Sequence, residues 1–336
     1  MKLKKLKIEL TKHCTLACAH CSAFAHPLQN LALPYLRVEQ LIKEFTELGG
    51  EEITFTGGEP FLYEGLPNLL RLASENRLST VVFTSGVLKR DKQLISLNAG
   101  ALSDYSVLPN KAVFSLYDAT PDGHELVTKQ SGSFQLTIES IEKCPQLGIA
   151  VDLHFVLTKR NVDVFPELVK LAEHLHCQTI RILRYVPHGR GKKNRDELQP
   201  DYIDMKRFID LLRTLKPLSG VEMKLGSAFG FIAPDMTSNC TAGVEELVVD
   251  AYGNIYPCSA FVNVRVLGQH GNVLQSSLAD IWNSSEYLRQ VRNVLQQRKQ
   301  CTTDHNCHPG CIAQKTIVQG FISDNINDPD QIGLLG

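Results

Sequence analysis

The feature that most restricts the fold is a strand followed by a helix, repeated about every 30 residues through the first half of the chain and beyond. Residues 6–11, 51–56, 79–85, 111–117, 150–158 and 178–185 are rich in the β-branched and aromatic side chains of buried strands. Between them the apolar period changes. Val38, Leu41, Ile42, Phe45 and Leu48 recur on one helical face until Gly49 and Gly50 stop the run. The segments "GLPNLLRLASEN", "SFQLTIESIEKCPQLG" and "VFPELVKLAEHL" repeat that pattern, with Ser133 at an N-cap position in the second. Strands that alternate with helices pair in parallel, because a parallel neighbour is reached only through a long crossover. An α/β fold with a parallel sheet follows, and the periodicity leaves open whether the sheet stays open or curls into a partial barrel.

After residue 187 the pattern weakens into a charged, glycine-containing loop, "PHGRGKKNRDELQPD", followed by a helix over 202–215 and a strand over 221–225. Beyond Asn239 turns predominate and five of the ten cysteines appear. Short, loop-rich segments bury too little apolar surface to hold themselves together, so this part reads as a small unit organised by metal. The expected division is 1–225 and 226–336. The 336 residues carry a formal charge of −1, with a pI near 6.8, and so generate no global field that would draw the chain to nucleic acid or anionic lipid. The opening "MKLKKLKIEL" lacks the apolar core of a signal peptide, and no stretch reaches transmembrane length. A cytoplasmic protein is expected, in a reducing compartment where cysteines bunched at the two ends act as metal ligands rather than disulfides. Cys144 and Cys177, between the bunches, read as small buried hydrophobes.

Cys14, Cys18 and Cys21 form a C-x3-C-x2-C run directly after the first strand. A four-iron cluster is normally held by four cysteines, so a loop that supplies three leaves one iron open to a ligand that is not protein. The alternative is a zinc knuckle completed by His13 or His20. Gly57, Gly58, Glu59 and Pro60 follow the second strand. The glycines allow a ligand close to the backbone, at the strand ends where parallel sheets bind ligands.

Together the three-cysteine loop and the GGEP turn, one strand apart, resemble radical S-adenosylmethionine (SAM) enzymes. The resemblance implies a partial (βα)6 parallel barrel, with a 4Fe-4S cluster whose open iron is chelated by the SAM amino and carboxylate groups. One-electron cleavage of SAM would then give a 5'-deoxyadenosyl radical that abstracts hydrogen from substrate. It also implies that Gly57, Gly58, Glu59 and Pro60 hold the amino group, and that Thr84 and Ser85 match a third-strand motif in which relatives often have asparagine for Ser85. Ser115 would meet the SAM ribose or carboxylate, and His20 would lie beside the adenine where the family commonly has an aromatic. A low-potential electron donor such as flavodoxin or ferredoxin is implied as well.

Cys240, Gly253 and Cys258 resemble the opening of the SPASM domain, a cysteine-rich extension of these enzymes, and Cys301, Cys307 and Cys311 resemble its closing run. Arg298 stands where that run should begin, and no cysteine follows Cys311. The resemblance therefore implies one auxiliary cluster, as in the shortened "twitch" form, on Cys240, Cys258 and Cys311 with Cys307 or Cys301 as fourth ligand. A zinc site using His305 or His308 is the alternative.

Two substrate classes follow from the resemblance: a peptide to be crosslinked, epimerised or oxidised, and a small molecule such as a sugar, aminocyclitol or nucleotide. With only 13 residues before Cys14, a peptide-recognition domain is expected to be a separate protein. A third reading makes the clusters structural and the protein a metal-binding module. Neither membrane nor nucleic acid is expected as a partner. Arg190 and Lys192, at the mouth after the sixth strand, offer charge to a carboxylate or phosphate. No residue can be assigned as catalytic acid, base or hydrogen donor; Tyr117, Asp118, His154 and Glu59 are the barrel-facing groups to consider.

Overall fold

The computed structural model describes residues 1–216, 219–262, 264, 270–300, 310–323 and 326–332. Its strands are β1 (Lys5–Thr11), β2 (Glu52–Gly57), β3 (Ser79–Thr84), β4 (Val87–Arg90), β5 (Gln93–Ser96), β6 (Lys111–Ser115), β7 (Ala150–Val156), β8 (Thr179–Leu183), β9 (Glu222–Leu225), β10 (Glu246–Val249) and β11 (Ile255–Tyr256). The helices are α1 (Tyr35–Glu47), α2 (Leu66–Glu75), α3 (Pro121–Thr128), α4 (Ser133–Gln146), α5 (Phe165–His174), α6 (Gly189–Lys193), α7 (Arg195–Leu198), α8 (Tyr202–Leu215), α9 (Leu278–Ser284), α10 (Glu286–Gln300), α11 (Ile312–Gln319) and α12 (Pro329–Ile332). Nine strands form one sheet in the order β11-β10-β1-β2-β3-β6-β7-β8-β9, and β4 and β5 make a separate antiparallel hairpin. Within the sheet only the β10–β11 pair is antiparallel.

Register decides what kind of parallel sheet this is. Partners in register point the same way, and the row running through Ile8, Phe55, Val82, Ala112, Val151 is buried and apolar. Alternate rows such as Phe114, Leu153, Ile180, Met223 continue that face. Side chains of α1, α2, α4, α5 and α8 pack against it in two large cores. The other face carries Lys7, Thr54, Lys111, Asp152, His154, Thr179 and Arg181. One apolar, helix-covered face and one polar face are what a sheet wound one way around an interior requires, whereas an open doubly wound sheet buries both. The expected partial barrel is therefore present, with β1, β2, β3, β6, β7 and β8 as its six anticipated strands and β9 as a seventh.

The cysteine-rich part is built onto this sheet. β10 pairs in parallel with β1, Lys5 opposite Glu246 and Ile8 opposite Val249, and β11 folds back on β10. Leu247, Val249, Ile255, Trp282, Leu288 and Val291 join the same core as Leu6, Ile8 and Phe45. Cys144 and Cys177 are buried in the other core, as small apolar side chains would be. No described helix is long and apolar enough to cross a membrane.

Candidate active site

The loop leaving β1 folds back on its own start. Lys12 N–H donates to Leu31 O at 2.8 Å, His26 N–H to Lys12 O at 3.2 Å, and Leu33 N–H to Leu10 O at 2.9 Å. Thr15 Oγ1 donates to Val87 O at 2.6 Å, which fixes the loop to the β4 hairpin. Cys14, Cys18 and Cys21 gather here with Leu16, Ala25 and Val87. Burial raises Cys14 well above the ordinary thiol range and Cys18 to about 12, and each thiolate further opposes its neighbours. A metal that binds such thiols must displace their protons, and three cysteines gathered in one cluster are a donor set for a thiolate-bound group. Among the described residues no three His, Cys, Asp or Glu side chains close on one point as a single-ion site does.

Glu59 faces these thiols, and its charge is one of the influences that raise Cys14. Gly57 turns the chain at φ +131°, and a Cβ on Gly58 would run into the His13 carbonyl, so the turn lies flat against the cysteine loop. Gly58 N–H and Glu59 N–H donate to Thr11 O and His13 O at 2.6 and 2.8 Å. The buried Glu59 carboxylate accepts from Thr84 Oγ1 (2.7 Å), Ser85 Oγ (2.6 Å), Ser85 N–H (3.0 Å) and Phe61 N–H (3.4 Å). Burial pushes its pKa up, and these four donors work against that shift. Thr84 and Ser85 thus meet Glu59 itself, an arrangement the motif alone did not indicate.

Tyr117, just beyond β6, lies within reach of Cys18 and Ser115. His20 meets it edge-on at 4.6 Å, and His124 stacks on it at 5.5 Å. Both imidazoles are lowered to about 4 by burial and are neutral at pH 7. Asp118 is buried, and its carboxylate accepts from Thr120 N–H and Oγ1 at 2.9 and 2.8 Å and steadies the start of α3. His154 stands on the polar interior face opposite Ser115 and Arg181, edge-on to Phe83 at 4.4 Å. Burial beside Arg181 and Lys7 lowers it to about 3.

Arg190 is not at the disposal of a substrate anion. Its guanidinium donates to Cys18 O at 2.7 Å and Ala25 O at 2.6 Å, inside the cysteine loop. Lys192 is exposed.

Cys240 precedes β10, Cys258 follows β11, and Cys311 caps α11, so the β10–β11 hairpin and a helix N-terminus bring three thiols together. They influence one another, and burial raises Cys240 to about 11 and Cys258 well above the thiol range. Arg298, in place of a cysteine, donates to Gly310 O at 2.7 Å and favours the Cys240 thiolate by its charge. Cys301 and Cys307 lie outside the described residues.

A family model described as Radical SAM superfamily matches residues 8–172, and one described as SPASM, an iron-sulfur cluster-binding domain, matches residues 240–312. AdoMet-dependent heme synthase of Oleidesulfovibrio alaskensis is 25% identical over 339 residues, spanning 93% of this chain and 83% of that protein. PqqA peptide cyclase of Xanthomonas axonopodis pv. citri is 26% identical over 307 residues, spanning 88% of this chain and 78% of that protein. Streptococcus suis SuiB bound to precursor peptide SuiA shares the fold, with a TM-score of 0.76 at 18% identity over 98% of this chain and 76% of that one.

Proposed function

This chain belongs to the radical SAM superfamily and carries a SPASM iron-sulfur domain, and from that membership we propose that its substrate is a peptide. Membership makes it an iron-sulfur enzyme that uses SAM. When bound, the cluster and SAM supply a 5'-deoxyadenosyl radical that takes a hydrogen atom from the substrate.

The chain's own residues divide the remaining work. Cys14, Cys18 and Cys21 hold the SAM-binding cluster. Glu59 accepts the SAM amino group, oriented by Thr84 and Ser85, and Gly57, Gly58 and Pro60 let the ligand approach the backbone. The single observation that carries this reading is the Glu59 carboxylate, buried and fixed by four donors beside three thiols. Ser115 meets the ribose or carboxylate, and His20, held by Tyr117, flanks the adenine. Buried apolar walls around the loop keep water from the reacting atoms.

Cys240, Cys258 and Cys311, with Cys301 or Cys307, hold one auxiliary 4Fe-4S cluster. Arg298 supports the count of one, because a guanidinium cannot ligate iron and stands where a second cluster would need a thiolate. A low-potential donor such as flavodoxin or ferredoxin supplies the electron in a reducing cytoplasm.

Peptide is favoured by the likeness to PqqA peptide cyclases. The heme synthase likeness covers more of the chain and supports a second reading, a small-molecule substrate. Co-expression with short peptides encoded beside this chain decides between them. A mass change in one peptide that disappears in Cys14→Ala is expected; unchanged peptides, with a modified small molecule instead, would overturn the peptide reading.

A further inference from the structure

We propose that Arg190 is a positioning residue for the SAM-binding cluster: the segment 189–194 braces the cysteine loop from outside, and the guanidinium sets the field at its sulfurs. This rests on the reading of Cys14, Cys18 and Cys21 as the ligands.

Four carbonyls of the loop accept hydrogen bonds from this one segment. Arg190 Nε and Nη2 reach Cys18 O and Ala25 O, Arg190 N–H reaches Cys21 O at 3.0 Å, and Asn194 Nδ2 reaches Ala19 O at 2.8 Å. The fit is close enough to exclude side chains. A Cβ on Gly189, at φ +55°, would strike the carbonyls of Cys21 and Ser22, and one on Gly191 would come within 3.1 Å of His20 O. Tyr185 Oη donates to Gly191 O at 2.7 Å and fixes the segment to the end of β8. A loop that must present three thiolates gains geometry from such a shell, and second-shell groups tune metal sites as well as orient them. Arginine suits the task because its planar fork spans two acceptors and its charge is permanent. A cation beside the cluster favours the reduced state, which carries one more negative charge.

The test uses the anaerobically reconstituted full chain, with Arg190→Ala and Arg190→Lys. The cluster whose electron paramagnetic resonance signal changes on adding SAM is titrated redox-potentiometrically, and amide hydrogen exchange is followed in residues 14–25. Arg190→Ala should move the potential more negative and speed exchange in the loop at least tenfold, with β7 unaffected. Arg190→Lys should keep the potential near that of the parent but still loosen the loop, since an ammonium cannot span both carbonyls. If Arg190→Ala fails to retain iron, the exchange comparison in the iron-free parent and variant carries the same prediction. Unchanged loop exchange overturns the brace, and an unchanged potential in Arg190→Ala overturns the field effect. If Cys14→Ala keeps the full iron content and the SAM-sensitive signal, the ligand reading itself has failed.

Discussion

Glu59 is surrounded by donors that leave it only one orientation, and that makes its substitution informative. Glu59→Gln keeps the shape but removes the charge, and turns an amide N–H2 toward hydroxyls that now donate. SAM affinity measured by equilibrium dialysis on the reconstituted chain should fall tenfold or more, about 1.4 kcal/mol, with the circular dichroism spectrum unchanged. His124 makes a separate prediction. It is buried at 1% exposure, and burial lowers its pKa from an ordinary 6.5 to about 4. Because the folded value is depressed, the unfolded chain binds the proton first as pH falls. Stability is full above pH 6.5 and declines toward pH 4, by about 2 kcal/mol at pH 5. Urea unfolding at pH 7 and pH 5 should reveal that loss, and His124→Asn should flatten the dependence by that amount.

The segment around α12 returns to the barrel through one arginine. Arg184, just past β8, donates through Nη1 to Asp328 Oδ2 at 2.8 Å, through Nη2 to Asp328 Oδ1, and to Asp330. Asp328 Oδ2 also accepts Cys311 N–H at 3.1 Å, so the same carboxylate holds the barrel and the auxiliary thiol loop. Without Asp328 the buried Arg184 keeps only the partly exposed Asp330 as counterion and Cys311 N–H loses its acceptor, a loss of up to about 3–5 kcal/mol. Asp328→Ala should lose that much in denaturant titrations and Asp330→Ala clearly less, because Asp330 remains partly exposed. Elements of this kind were not legible in the sequence. The long strands were, because runs such as "STVVFTS" and "AVDLHFVLT" carry their own burial pattern. β10 and β11 have four and two residues, and only pairing to β1 makes them strands. The hairpin of β4 and β5 is similarly short. "HGRGKKNR" reads as a solvated run, and nothing local says that Arg190 bonds a carbonyl 172 residues away. The grouping of Cys14, Cys18 and Cys21 was legible because their spacing is a local property; that Thr84 and Ser85 grip Glu59 was not, since the contact spans two strands.

Across the whole molecule both cysteine sets are tied to β1, one on the loop that leaves it and the other flanking the hairpin that pairs with its edge. A shared core means the cysteine-rich part and the first strand-helix units stabilise each other, so each site depends on that core. Two four-iron clusters predict about eight irons per reconstituted chain. Cys14→Ala and Cys258→Ala should each lower that to about four by iron and sulfide assay, whereas zinc at the second site would leave the parent at about four.

Whether Cys14, Cys18 and Cys21 seat the cluster that cleaves SAM is tested by incubating the anaerobically reconstituted chain with SAM and dithionite and measuring 5'-deoxyadenosine. Its formation is expected from the parent and from Cys258→Ala, at whatever rate, and none above background from Cys14→Ala, Cys18→Ala or Cys21→Ala. A parent chain with its full iron that forms no 5'-deoxyadenosine, or a Cys14→Ala variant that forms it as well as the parent, would overturn that assignment.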